Sequence, residues 1–314
     1  METKLLFTSD LHGSDAFFLK ILSAAKSWKV DVLCMSGDLT GKAIIPIVKF
    51  EENLYETTFF GKQYTIDLAG LKGLEEKIAR TGYYVYECTK KEYDDLRAEP
   101  EKVEELFHGL MEKRLEEWIL KLDEILPKTM KVILNPGNDD PFLIDRVLQQ
   151  SRRTLYSIGK VDQLDDTHPL VTCEWVNPTP WKSPRECSED ELEKRLRKEL
   201  DKVSSLDHVV CDFHAPPYDC PLDLAPKLDS KLRPKTSFGQ PVMEHVGSKA
   251  VRKVIEKYQP KLAMHGHIHE SPGVFKIGRT VCMNPGSEYV EGIMHGYFLK
   301  LTPDTLDYAP VMGG

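Results

Sequence analysis

The feature that most constrains this chain is a short apolar run, Leu5–Phe7, that stops at Asp10, His12 and Gly13. A short apolar run that ends in turn residues is typical of a buried strand. Side chains two positions apart in an extended segment point to the same side, so Asp10 and His12 can reach one ligand beyond the strand. A carboxylate and an imidazole placed in this way are compatible with a shared metal ion, or with a hydrogen-bonded pair that closes a turn.

The same arrangement recurs immediately downstream. Ser14–Trp28 carries apolar residues at helical spacing, with Ser14 as the predicted N-cap. Val30–Met35 is a second short apolar run, and it leads to Asp38. A strand, a helix and a second strand, with polar side chains at the carboxyl ends of the strands, are typical of a β-α-β unit in a layered α/β sheet.

Three later apolar runs also end in polar side chains. Met130–Leu134 leads to Asn138 and Asp139, Asp207–Asp212 leads to His214, and Lys261–Met264 leads to His267 and His269. Each of these residues alone would more often cap a turn or pair with one neighbour. The carboxyl ends of neighbouring parallel strands, however, meet at one edge of a sheet. The joint pattern therefore predicts one metal site, with the candidate ligands Asp10, His12, Asp38, Asn138, His214, His267 and His269.

Residues 41–127 do not follow this pattern and are rich in charged side chains. We predict a single domain over residues 1–314 that carries a mainly helical insertion at about 41–127. The best-defined part of the insertion is a helix over Glu101–Leu126. One face of this helix carries Met111, Leu115, Trp118, Leu122 and Ile125. This face could pack on the protein's own core, cap the site or form the seam of a homodimer.

The composition limits the partners of the chain. A net charge of −8 and a pI near 5.7 give no general attraction for phosphate backbones, which argues against nucleic-acid binding. No segment approaches the ~20 apolar residues of a membrane span, and the N-terminus lacks the features of a signal peptide. The seven cysteines are scattered and include no C-x-x-C pair, which is typical of reduced core residues. We therefore expect a cytoplasmic protein that does not bind a membrane.

The ordered motifs resemble those of the calcineurin-like metallophosphoesterase superfamily. The matching segments are Asp10-Leu-His12, Gly37-Asp38, Gly137-Asn138-Asp139-Asp140, His214 and Gly266-His267-Ile-His269. They lie within residues 4–39 and 130–300, so the insertion is unmatched. The tail, with Asn284-Pro-Gly-Ser-Glu-Tyr289, is similar to small bacterial and archaeal phosphoesterases. The chain does not resemble the protein serine/threonine phosphatases, because it has Leu39-Thr40-Gly41 after the second motif and Asn138-Asp139-Asp140 as the third. The resemblance implies a four-layer α/β/β/α sandwich.

The resemblance also implies two divalent metal ions. One ion would take Asp10, His12, Asp38 and His269, and the other would take Asp38, Asn138, His214 and His267. Asp38 would then bridge the two ions, and a water or hydroxide between them would be the nucleophile. Mixed imidazole, carboxylate and amide ligands favour borderline ions over calcium. We take manganese as the first choice, with iron, zinc, cobalt or nickel as alternatives.

The third motif departs from the superfamily pattern. Most members have a histidine after the asparagine, whereas this chain has Asp139. A carboxyl group beside two dications is expected to have a lowered pKa, which does not suit a general acid. The candidates for the acid, or for phosphate contacts, are therefore Asp139 and His245, or no acid at all if the leaving group is good.

The sequence thus predicts a metal-dependent phosphoester hydrolase that acts on a small substrate, with phosphodiesters first. A phosphomonoesterase or a nucleotide phosphatase is the alternative within this chemistry. A nuclease is a third hypothesis, against which the acidic pI argues. An alternative of another class is a metal-stabilised interaction scaffold without catalysis.

Overall fold

The computed structural model describes residues 2–313. The helices are α1 (Asp15–Ser27), α2 (Leu68–Ala79), α3 (Lys90–Ala98), α4 (Pro100–Ile125), α5 (Ile144–Gln150), α6 (Glu189–Leu200) and α7 (Lys249–Tyr258). The first ten strands are β1 (Thr3–Thr8), β2 (Val32–Ser36), β3 (Ile44–Glu51), β4 (Leu54–Phe59), β5 (Lys62–Asp67), β6 (Tyr84–Thr89), β7 (Lys131–Asn135), β8 (Val161–Gln163), β9 (Pro169–Cys173) and β10 (Val210–Phe213). The others are β11 (Leu224–Pro226), β12 (Thr236–Ser237), β13 (Gln240–Pro241), β14 (Met243–His245), β15 (Leu262–Met264), β16 (Gly273–Ile277), β17 (Thr280–Asn284), β18 (Met294–Leu301) and β19 (Leu306–Gly313).

Two larger sheets carry the predicted strands. The first has the order β19-β18-β1-β2-β7, and the second has the order β16-β17-β15-β10-β9-β8. Strand β1 pairs in parallel with β2, with Leu5 opposite Val32, and β2 pairs in parallel with β7. In the second sheet, β15 and β9 flank β10 and both run parallel to it. The predicted β-α-β unit and the α/β class are confirmed.

Three apolar clusters hold these sheets in place. One joins the facing sides of the two sheets, through residues such as Phe7 and Met264. A second joins the other side of the first sheet to α1, α4 and α5, and a third joins the second sheet to α6 and α7. Burial on both faces explains why the central strands read as continuous apolar runs. The four-layer order as a whole stays a prediction.

The first helix begins where the sequence indicates. The Ser14 hydroxyl accepts a hydrogen bond from the Phe17 amide at 3.3 Å and so caps α1. The apolar face of α4 packs on this helix, since the Trp118 ring stacks on Phe18 with ring centroids 4.3 Å apart. Of the three alternatives for this face, the structure therefore shows packing on the protein's own core. A homodimer through the insertion stays a prediction.

The insertion also contains a four-stranded sheet, of order β5-β4-β3-β6, that we did not predict from the sequence. Strand β3 opens with an apolar run over 44–48 that Pro46 interrupts, and β5 alternates exposed and half-buried residues, so neither resembles the uninterrupted runs of the central strands. The sheet packs on α2 through a small apolar cluster that includes Ile47, Leu74 and Ile78. Among residues 2–313, no helix is long and apolar enough to cross a membrane.

Candidate metal centre

The structure brings all seven predicted ligands to one place, beyond the carboxyl ends of β1, β2, β7, β10 and β15. Strands β1, β2 and β7 belong to the first sheet, and β10 and β15 belong to the second. The candidate site therefore lies where the edges of the two sheets meet. Five of the ligands are buried, while His267 and His269 are part-buried, and the His269 side chain is 23% exposed.

Asp10, His12 and His269 form the first cluster, with ligand atoms within 4.8 Å of one another. The two Nε2 atoms of His12 and His269 are 3.1 Å apart. His269 Nε2 also lies 3.4 Å from Asp10 Oδ1. Three ligand atoms that converge in this way fit one divalent cation.

Asp38, His214 and His267 form the second cluster. His214 Nε2 lies 3.4 Å from Asp38 Oδ1 and 3.0 Å from Asn138 Oδ1. The amide nitrogen of Asn138 donates to the Ser183 hydroxyl at 2.7 Å, so the amide oxygen is turned toward the cluster. This is the orientation that a metal ligand requires.

The Asp38 carboxylate faces both clusters. Its Oδ2 atom lies 3.7 Å from His12 Nε2, while its Oδ1 atom lies 3.4 Å from His214 Nε2. A single carboxylate between two groups of imidazoles suits two cations held side by side. The predicted partition of ligands is compatible with this geometry.

The backbone that carries these ligands is strained. Asp10, His12, Asp38 and His267 have φ values of 58°, 44°, 43° and 68°, in the left-handed region that side chains rarely adopt. A Cβ atom at Gly37 would lie 2.2 Å from His214 Nδ1, so only glycine fits beside that ligand. Such strain is concentrated at functional sites because the surrounding structure must compensate for it.

The charges of the cluster stabilise one another without metal. Burial opposes ionisation of Asp38, but the charge and hydrogen bond of His214 outweigh it and hold the pKa of Asp38 well below its usual range. Burial also opposes protonation of His214, yet the charge of Asp38 raises the pKa of His214 to about 9. Burial lowers the pKa of His267 to about 4, which leaves its ring neutral and able to bind a cation.

We expect metal affinity to increase with pH, because His214 must lose its proton before it can bind a cation. With a pKa of about 9, this histidine is protonated at neutral pH in the metal-free protein. Affinity for Mn²⁺ should rise about tenfold per pH unit between about pH 6.5 and 8.5, with protons released on binding. Calorimetric titrations in buffers of different ionisation enthalpy measure both quantities. An affinity that does not change with pH, without proton release, would contradict this assignment.

Asp139 lies at the mouth of the site. Its backbone amide donates to Asp38 Oδ1 at 2.9 Å, and its carboxylate forms a 2.9 Å ion pair with Lys42. Burial raises the pKa of Asp139, and the charge of Asp38 adds to this effect, while Lys42 opposes it. The ion pair is part-exposed, since the Lys42 side chain is 43% exposed. Asp139 thus lies beside Asp38 and holds the ammonium group of Lys42 there.

His245 lies on β14, and its contacts are with other residues. Its Nδ1 atom is 2.7 Å from Asp223 Oδ1, its Nε2 atom is 3.7 Å from Asp219, and its ring lies beside Tyr218. None of these three residues is a candidate ligand. Within residues 2–313, the clusters that could hold a metal ion do not include His245. The structure thus gives no contact that would support an acid role for this histidine.

Sequence reasoning did not single out two residues of the site. Lys42 follows Asp38 by four positions, and a basic residue so close to a candidate ligand was the available signal. Tyr289 ends the segment 284–289, for which the sequence indicated only a resemblance to small phosphoesterases. Its ring centroid is 4.6 Å from that of His12 and 5.9 Å from that of His269. It therefore covers one side of the first cluster.

Comparisons with known proteins agree with this fold. No family model matches the chain. The chain is 32% identical to the uncharacterized protein MJ1162 of Methanocaldococcus jannaschii over 172 residues, which cover 54% of this chain and 69% of the relative. The crystal structure of TT1561 of Thermus thermophilus superposes with a TM-score of 0.52 and 12% identity, over 98% of this chain and 99% of that one. Another crystal structure gives a TM-score of 0.60 at 16% identity, again over 98% and 99% of the two chains.

Proposed function

We propose that this chain, whose ordered motifs resemble those of the calcineurin-like metallophosphoesterase superfamily, is a phosphoester hydrolase of that superfamily with two divalent metal ions. The observation that carries the proposal is the Asp38 carboxylate, whose two oxygens face separate groups of imidazoles. Two ions in such a centre supply positive charge for the phosphate oxygens and lower the pKa of a bound water. The chain supplies the seven ligands and their orientation.

We propose a phosphodiester as the first choice of substrate, and a phosphomonoester or nucleotide as the alternative. The mixed imidazole, carboxylate and amide donor set favours borderline divalent ions over calcium. Among these ions we take manganese as the first choice, with iron, zinc, cobalt or nickel as alternatives. Asp139 would act by holding Lys42 at the mouth of the site rather than by giving a proton. Its pKa is raised in the metal-free protein, but two adjacent cations would lower it again.

Lys42 would then stabilise the negative charge of the phosphate. Its ammonium group is held by Asp139 close to the metal ligands, and the charge of Asp38 also contributes to its raised pKa, although burial opposes it. Replacing Lys42 by alanine should lower kcat/KM by about 10- to 100-fold, because a preorganised charge at the transition state is lost. Steady-state kinetics on a nitrophenyl phosphodiester measure this effect.

The matched control for this variant is Lys90→Ala. Lys90 forms a comparable 2.8 Å ion pair, with Asp94 on α3, and is not among the residues of the metal centre. The control should keep wild-type kinetics. If Lys42→Ala stays within about twofold of wild type, the proposed role of Lys42 is wrong.

The proposed activity is tested with purified protein, Mn²⁺, bis-p-nitrophenyl phosphate and p-nitrophenyl phosphate. We expect turnover that disappears with a chelator and returns when the metal is restored. Faster turnover of the diester would support the first choice of substrate class, and faster turnover of the monoester would favour the alternative. If the metal-loaded protein hydrolyses neither ester, the proposed hydrolase activity is wrong, and the metal-stabilised interaction scaffold becomes the better explanation.

A further inference from the structure

Three aromatic side chains extend from the metal centre across the insertion. Tyr289 contacts the His12 ring, with ring centroids 4.6 Å apart. The backbone of Gly82 lies against both, since a Cβ atom there would be 3.2 Å from Tyr289 Cδ2 and 2.2 Å from the His12 carbonyl oxygen. Tyr83 follows Gly82, and its ring centroid is 5.7 Å from that of Phe60. We call Phe60, Tyr83 and Tyr289 the aromatic ledge.

The outer end of the ledge is open to solvent. Phe60 is 60% exposed and sits in the two-residue turn between β4 and β5. Phe60 and Gly61 have φ values of 47° and 71°, a turn that normally favours asparagine followed by glycine. A bulky aromatic residue in the left-handed region is uncommon. Phe60 also packs on the Tyr83 ring, whereas Phe238, in a turn of the same kind, makes no aromatic contact within residues 2–313.

The position of the ledge suggests what it binds. Its inner end covers a ligand of the metal centre, so a molecule that lies along it would carry its phosphate at that centre. The ammonium group of Lys42, 2.9 Å from Asp139 at the mouth of the site, supplies positive charge on the same path. Aromatic side chains bind nucleobases by stacking, and this mode tolerates any base because each base has a π-face.

We propose that the aromatic ledge binds a planar aromatic group, of the nucleobase kind, attached to the phosphoester that the metal centre holds. This inference rests on the proposed function and narrows its substrate to nucleotide-like phosphoesters. The insertion thereby contributes to substrate specificity through Phe60 and Tyr83. The seven candidate metal ligands lie outside it, in the segments that precede and follow it in the sequence.

The test uses two ligands that differ only in the base. Adenosine 5′-phosphate and ribose 5-phosphate are titrated calorimetrically into the Mn²⁺-loaded protein. The phosphate released in the same samples is measured, so that any ligand that has been hydrolysed is subtracted from the ligand concentration. We expect adenosine 5′-phosphate to bind at least about tenfold more tightly. Phe60→Ala and Tyr83→Ala should reduce this preference and leave the affinity for ribose 5-phosphate unchanged.

Phe238→Ala is the matched control, because Phe238 and Gly239 form the same kind of turn, with φ values of 48° and 80°. Phe238 is fully exposed, and it makes no aromatic contact within residues 2–313. The control should keep the preference for the base. The inference would be overturned if the wild type bound the two ligands with equal affinity or bound neither of them. It would also be overturned if Phe60→Ala and Tyr83→Ala both kept the wild-type preference for adenosine 5′-phosphate. Turnover of the nitrophenyl esters by the same preparation shows separately whether the proposed function holds.

Discussion

Replacing Asp38 by asparagine should lower turnover of the nitrophenyl phosphodiester by at least about 1,000-fold. The amide keeps the shape of the side chain but removes the charge and one of the two oxygens that face the separate clusters. Neither cation could then share an anionic ligand with the other, so both metal affinity and charge stabilisation at the phosphate would decrease. Steady-state kinetics at saturating Mn²⁺ measure the loss.

The control for this variant is Asp304→Asn, which makes the same chemical change at an exposed position near the C-terminus. It should leave turnover and metal binding unchanged. Circular dichroism shows whether Asp38→Asn keeps the fold. A folded Asp38→Asn protein that retains more than about a tenth of the wild-type turnover would contradict the bridging role of this carboxylate.

Replacing Trp118 by alanine should lower the free energy of unfolding by about 3–5 kcal/mol. The indole is fully buried, stacks on Phe18 and donates a hydrogen bond from Nε1 to Asp15 at 2.7 Å. Its removal leaves a cavity between α4 and α1 and an acceptor without its donor. Denaturant unfolding of the metal-free protein measures the change.

Leu120→Ala is the matched control on the same helix, since Leu120 is 63% exposed. Its expected effect is within about 0.5 kcal/mol. Equal stabilities of the two variants would mean that the apolar face of α4 does not pack on the core. In that case, the seam of a homodimer would become the better explanation of this face.

The candidate ligands could be proposed from the sequence because of where they lie along the chain. Each follows an apolar run, and the parallel pairing of β1 with β2 and of β10 with β15 brings distant strand ends together. The type of each side chain could be read directly, and the resemblance supplied the partition. The orientation of Asn138 toward His214 could not be predicted, because it depends on Ser183 from a distant loop.

The parts that the sequence did not predict come from the insertion and from loops. In the sheet of β3 to β6, the apolar run at the start of β3 is interrupted by Pro46 and leads to no polar site residue, and β5 is mostly polar, so these strands did not match the pattern of the central ones. The proximity of Lys42 to Asp139 depends on a long-range contact between loops that follow β2 and β7. The position of Tyr289 over His12 likewise joins residues far apart in the chain, and no local pattern encodes such a contact.

The interpretation of His245 illustrates the same limit. A histidine before a helix, in a loop with many prolines, was a reasonable candidate for the acid. In the structure, its Nδ1 atom forms a hydrogen bond with Asp223, which raises the pKa of His245, and the charge of Asp219, 3.7 Å from Nε2, adds to this effect. Short strands β11 and β14 pair with each other and place it there. The residues that the structure places beside Asp38 are instead Asp139 and its ion-pair partner Lys42.

The metal content of the protein tests the central claim most directly. Metal-free protein is saturated with Mn²⁺, freed of unbound ions by gel filtration and analysed for manganese by elemental analysis, beside the Asp38→Asn variant. Our account predicts about two ions per chain for the wild type and a clear reduction for the variant. Wild-type protein that binds no ion, or that binds the same number as Asp38→Asn, would contradict a dinuclear centre bridged by Asp38.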